Sequence, residues 1–151
     1  MAHWLLKTEP HSFSIDDLQR MGESPWDGVR SYQARNNLMA MRQGDLAFVY
    51  HSSCEVPGVA GVCEVVREAY ADHSAWDPNS PYHDPRSSPD RPRWFMPDVR
   101  FVSRLPRLVS LSELRAVDEL EGMVLLRRGS RLSVQPVSDR EWDIVLALGS
   151  N

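Results

Sequence analysis

Apolar residues along this chain recur at two spacings, and the switches between them mark out its elements. Residues 4–8, Trp-Leu-Leu-Lys-Thr, read as a short buried strand ended by Glu9-Pro10. From Ser14 the spacing becomes helical. Ile15, Leu18 and Met21 fall on one face, Asp16 and Asp17 suit the positive end of the helix dipole, and Gly22 closes it. Trp26 to Arg30 reads as a turn or short extended piece. A second helix follows from about Ser31 to Met41, with Ala34, Leu38 and Met41 inward. Gly44-Asp45 turns into a strand at 46–51, and Gly58 to Tyr70 is a long β-rich segment expected to pair antiparallel to it. Gly58 and Gly61 mark a bulge or a close backbone approach there.

The second half is less regular. Residues 72–92 hold prolines at 78, 81, 85, 89 and 92, which predicts a long loop. β character resumes at 93–105 through Trp94, Phe95, Val99, Phe101 and Val102. Ser110-Leu111-Ser112-Glu113 and Ser138-Asp139-Arg140-Glu141 are capping boxes. Each opens a helix, the second with Trp142, Val145 and Leu146 inward. Leu132 to Val137 is a last strand. Strands and helices do not alternate regularly enough for a doubly wound parallel sheet. The expected class is α+β, a small distorted mixed or antiparallel β-barrel with short peripheral helices, in one domain over 1–151.

Composition narrows the function. The chain is 42% apolar and 25% charged, within the globular range, and has no apolar run long enough to span a bilayer. Its N-terminus reaches Lys7 too early for a signal peptide, so a cytoplasmic location is expected. Cys54 and Cys63 match no zinc spacing and are expected as free thiols. The net charge of -4 argues against binding duplex DNA by charge alone. Arginine is unevenly placed, however: six between Arg86 and Arg107, and another cluster at Arg127, Arg128 and Arg131. A locally basic face on an acidic protein is compatible with holding a short strand or a single nucleotide.

The candidate chemistry concentrates in residues 26–38, which crowd Trp26, Arg30, Tyr32, Gln33, Arg35, Asn36 and Asn37 together. Such side chains stack on planar rings, fork onto phosphate and read base edges. Trp26 is equally well explained as a core anchor for the Asp27-Gly28 turn. Asn is a poor helix former, so Asn36 and Asn37 are either ligand-facing or tied to nearby carbonyls. Tyr50-His51-Ser52-Ser53 ends a strand, where functional groups often sit. Phosphate-loop, dinucleotide and nucleophile-elbow motifs are absent, and no metal or cofactor is implied.

In order along the chain, Trp4-Leu5-Leu6-Lys7-Thr8-Glu9-Pro10, Trp26-Asp27-Gly28-Val29-Arg30, Gln33-Ala34-Arg35-Asn36, Gly44-Asp45, Tyr50-His51-Ser52, Ala69-Tyr70-Ala71-Asp72, Tyr82-His83-Asp84-Pro85 and Arg131-Leu132-Ser133-Val134-Gln135-Pro136-Val137 resemble the EVE domain family. The resemblance covers essentially the whole chain. It implies a PUA-like β-barrel that binds a modified base in DNA or RNA, single-stranded or flipped out, without catalysis. It places Lys7, Trp26, Val29, Arg30, Gln33, Asn36, His51 and Ser52 at or behind the pocket. Ser31 stands where the family usually has Asn after Val-Arg, which makes it a candidate for tuning base preference.

Trp94 and Trp76 are candidates for a second aromatic wall, with core or loop packing the competing explanation. The alternative function is a small-molecule-binding or nucleotide-modifying enzyme. It would use His51 as general acid/base, oriented by Asp27 or Asp45. Oligomeric state is left open.

Overall fold

A computed structural model describes residues 1–150. Six strands form one sheet: β1 (His3–Thr8), β2 (Glu23–Pro25), β3 (Leu46–His51), β4 (Gly58–Ala71), β5 (Phe95–Ser110) and β6 (Val134–Val137). Four helices accompany them: α1 (Ile15–Met21), α2 (Tyr32–Ala40), α3 (Leu111–Arg115) and α4 (Asp139–Gly149). The spatial order is β2-β5-β4-β3-β1-β6. Only β1 and β3 run parallel, which requires a long crossover between them; α1, β2 and α2 make up that crossover.

The chain is α+β, but the barrel expected from the sequence is replaced by an open mixed sheet. Edge strands β2 and β6 share no ladder. Instead, α2 packs on both β6 at one edge and β5, next to the other edge, so a helix rather than a strand ladder links the two ends of the sheet. Asn37 reinforces this seam by donating from Nδ2 to the Val134 carbonyl at 2.7 Å.

Both faces of the sheet are covered, which explains the unbroken apolar run at 4–6. Trp4 and Leu6 point into a core with Ile15, Leu18, Ala34 and Leu38 under α1 and α2. Leu5, one residue out of phase, points into a second core with Phe48, Leu114, Trp142 and Val145 under α3 and α4. Strand β3 divides the same way, Ala47 and Val49 to one core, Phe48 and Tyr50 to the other.

Several details depart from expectation. Met21, the last residue of α1 before its Gly22 cap, is exposed rather than inward. Strand β2 was hidden in the approach to Trp26, and β5 runs on to Ser110. The close approach at Gly61 is present: a Cβ there would lie 2.7 Å from the Ser103 carbonyl, where the β4–β5 register shifts. The expected capping boxes form at Ser110 and Ser138, and Ser14 makes a third with Asp17. Both cysteines are free, and the buried Cys63 thiol is pushed up to about 12 by desolvation.

Candidate nucleobase cleft

The C-terminal end of β1, the approach to α1 and the turn after β2 meet around a cleft of about 540 Å³. Lys7, Thr8 and Glu9 form one side; Ser12 and Phe13 the second; Ser24 through Arg30 the third; Tyr82 and Ser133 close the rim. The volume is in the range of small-ligand sites. Of the residues expected at a pocket, Lys7, Trp26, Val29 and Arg30 line it.

Trp26 is both a core residue and a wall. It is only 6% exposed and takes the Phe13 ring edge-on at 5.8 Å between centroids, so it presents a strip of ring, not a free-standing platform. Val29 is buried beside it.

Arg30 braces the turn. Its Nε donates to the Tyr82 carbonyl at 2.9 Å, Nη1 to the Val29 carbonyl and to Asp72 Oδ2, and Nη2 to Ser74 Oγ. Little donor capacity is left for a ligand.

Asp72 is the organiser of this corner, and sequence reading missed it. Its side chain is fully buried, accepting from the Gly28 amide at 2.9 Å and Arg30 at 3.1 Å on Oδ2, and from the Ser74 amide and hydroxyl on Oδ1. Burial alone would raise its pKa. The hydrogen bonds from Ser74, Gly28 and Arg30, with the Arg30 charge, outweigh that and hold the carboxyl below its usual range. Gly28 adopts φ +83, and a Cβ there would meet the Tyr82 ring at 2.7 Å. Glycine is therefore what lets Tyr82 lie over the turn.

Two charged groups in the cleft are not committed to the fold. Lys7 makes no ion pair among the described residues, and half-burial lowers its pKa. Asp27 accepts no hydrogen bond from another of the described residues through its carboxylate. Desolvation and then repulsion from Asp72 raise its pKa, although the residue as a whole is exposed.

The remaining expected positions lie elsewhere. Ser31 and Gln33 line a neighbouring groove, where Ser31 Oγ accepts from the Ala34 amide as the cap of α2. Asn36 is exposed and accepts from Arg35 at 2.9 Å. His51 Nε2 accepts from the Ile15 amide at 3.1 Å, capping α1 from outside the cleft. Ser52 bonds the Thr8 carbonyl through its amide and, at 3.4 Å, its hydroxyl, and so steadies the cleft wall from behind.

Asp45 is bound by Trp4 Nε1 and by the Ala2 and Arg42 amides, so it does not orient His51. Trp94 is buried, stacks on Tyr32 and donates to Asp84 at 2.7 Å, and Trp76 donates to Ser87. Neither lines the cleft; Tyr82 is the aromatic that the Pro-rich loop delivers.

The cleft at this end of the mixed sheet brings together a strip of indole, an ammonium and a carboxylate. The chain belongs to the EVE domain family, whose model matches residues 2–148. It is 45% identical to human thymocyte nuclear protein 1 over 166 residues, 97% of this chain and 73% of that protein. A solved protein from Pseudomonas syringae is 47% identical at TM-score 0.96, covering 98% of this chain and 99% of its own. Human THYN1 protein, in a crystal structure with 5-methylcytosine-containing DNA, is 43% identical at TM-score 0.94, covering 100% and 99%. Among the described residues no helix is long and apolar enough to cross a membrane.

Proposed function

We propose that this protein is a non-enzymatic reader of a modified base in nucleic acid, and that the base is a 5-methylated cytosine held in the Trp26 cleft. The observation that carries the reading is the uncommitted pair in that cleft: Asp27 to accept, Lys7 to donate. A carboxylate accepts from the exocyclic amine of cytosine, and an ammonium donates to its ring acceptors. The human relative's complex with 5-methylcytosine-containing DNA supports the same base.

The methyl group alone is a weak signal. Burying it contributes about 0.8 kcal/mol, under a tenfold preference. Discrimination from thymine, which carries the same methyl, has to come from hydrogen bonding. Asp27 meets an amine in 5-methylcytosine and an acceptor oxygen in thymine, a mismatch of roughly 1–3 kcal/mol, or about 5- to 150-fold. A duplex target has to be flipped out, at a few kcal/mol, so single-stranded or mismatched sites bind more tightly.

The test is fluorescence anisotropy on oligonucleotides differing at one position: cytosine, 5-methylcytosine or thymine, in deoxyribose and ribose forms. Tightest binding to 5-methylcytosine and weakest to thymine is expected, and Asp27→Asn, whose amide satisfies either base, reduces the gap. Affinity for 5-methylcytosine also falls as pH drops through the raised pKa of Asp27. Equal binding of all three bases by the wild type sinks the reading.

A further inference from the structure

The two arginine clusters of the sequence have different fates. In the first, Arg100 pairs with Glu64, Arg104 with Asp16, Arg107 with Glu113 and Arg86 with Asp84. That run of positive charge is largely neutralised on the surface. In the second, Arg127, Arg128 and Arg131 are all exposed and make no ion pair or side-chain hydrogen bond among the described residues. They lie within five consecutive positions, around Gly129 at φ +73, and line a groove of about 500 Å³ with Ser31, Gln33, Ser130 and Leu132.

This groove adjoins the cleft at two seams. Arg30 lines the cleft and Ser31 the groove; Ser133 lines the cleft and Leu132 the groove. Consecutive Cα atoms are about 3.8 Å apart, so at both seams the residues lining the two depressions are immediate chain neighbours. The groove wall is anchored: the Lys7 amide donates to the Ser133 carbonyl at 2.9 Å, and buried Gln135 Nε2 donates to the Leu132 carbonyl at 2.7 Å. On the opposite wall, α2 has no acidic residue in its first turn, while α1, α3 and α4 each have at least one. Nothing acidic lines the groove to repel an anion.

We infer that the Arg127–Arg131 groove is a phosphate track, gripping the sugar-phosphate backbone of the strand whose base enters the Trp26 cleft. The inference rests on the proposed base-reading role for its direction along the strand. Its chemistry stands on three unpaired guanidiniums beside a base-sized opening. Arginine forks onto phosphate oxygens without reading sequence. The groove therefore supplies affinity and register, and the cleft supplies selectivity. The bond from Gln135 to Leu132 fixes where the arginine loop ends.

The test is a salt titration of binding to a 5-methylcytosine oligonucleotide and its unmodified twin, from 50 to 200 mM salt. Wild type is compared with Arg127→Gln/Arg128→Gln/Arg131→Gln, with each single variant, and with Arg115→Gln as a charge control. Arg115 is exposed and makes no ion pair among the described residues, and it lies on α3, which packs into the other core. Each lost phosphate contact flattens the slope of log affinity against log salt by about 0.7–0.9, so the triple variant loses roughly 2–3 units. It binds both oligonucleotides more weakly by the same factor, leaving their ratio unchanged, and Arg115→Gln has little effect.

An unaltered slope in the triple variant, with melting temperature retained, overturns the inference. So does an equal effect from Arg115→Gln, which would mean that net charge alone is responsible. A wild type with no base preference but a slope that still flattens refutes the base reader and leaves the phosphate track standing.

Discussion

Replacing Asp72 tests the claim that one buried carboxylate holds the cleft's third wall. Its four hydrogen bonds come from three residues, and its side chain has no solvent access. Asp72→Asn keeps the shape but offers one oxygen and one amino group. With the oxygen toward Gly28 and Arg30, the amino group meets the Ser74 hydroxyl, which can rotate to accept, and the Ser74 amide, which cannot. One buried donor is left unmatched, costing about 1–3 kcal/mol, and the charge assistance to Arg30 is lost, roughly 1 kcal/mol more. Asp72→Ala removes all four bonds and strands the partly buried Arg30 guanidinium, for about 3–5 kcal/mol. Against a typical total of about 5–15 kcal/mol, the second variant is severely weakened.

The assay is urea unfolding of wild type and both variants between pH 7 and pH 2. The Asp72 pKa lies below its ordinary value of 3.8. Its contribution is therefore complete well above 3.8 and is lost as pH falls through the depressed folded-state value. The gap between wild type and Asp72→Asn shrinks over that acid range. A gap under about 0.5 kcal/mol at pH 7, the size expected of an ordinary surface change, would refute the reasoning, as would one that stays constant down to pH 2.

Gly28→Ala should cost about 1–2 kcal/mol from its left-handed backbone alone and, by displacing Tyr82 from the rim, weaken oligonucleotide binding. A variant with unchanged melting and binding would contradict the packing of Tyr82 over that turn. His51→Ala should lose about 0.5–1.5 kcal/mol with the Ile15 bond while leaving the preference for a modified base intact. Burial lowers the His51 pKa from 6.5, so the wild type loses stability as pH falls through that ordinary value, and the variant lacks this loss. Loss of binding at unchanged stability would instead place His51 in the site.

Much of the architecture was legible because its causes are local. Ser110 reaches Glu113 and Ser138 reaches Glu141 within one helical turn, so their capping boxes are readable as strings. The apolar runs of β1 and β3 are continuous because both sheet faces are covered, which identifies the strands though not their neighbours. Sheet closure was not legible. Whether β2 meets β6 depends on how α2 packs between β5 and β6, and neither edge strand's sequence encodes that.

The site divides along the same line. Residues 26–30 stood out by their crowding, and four of the expected pocket positions do line the cleft. Local reading did not anticipate that Arg30 would be committed to a carboxylate 42 residues away, or that Ser31 would face the groove. His51 looked like chemistry from its strand-end position and is bonded to an amide 36 residues earlier.

The sequence by itself determined most of the elements, their caps, the family and the crowded segment that lines one wall of the cleft. These follow from periodicity and from contacts within a turn of chain. The tertiary structure decided which polar groups stay available. Arg30, His51 and Asn37 each met a distant partner that satisfied it, whereas the side chains of Lys7, Asp27 and the arginines of 127–131 met no hydrogen-bond or ion-pair partner among the other described residues. A buried or half-buried polar group is satisfied by whatever the fold brings near it, and that neighbour is a property of the packed chain rather than of the residue's own stretch of sequence.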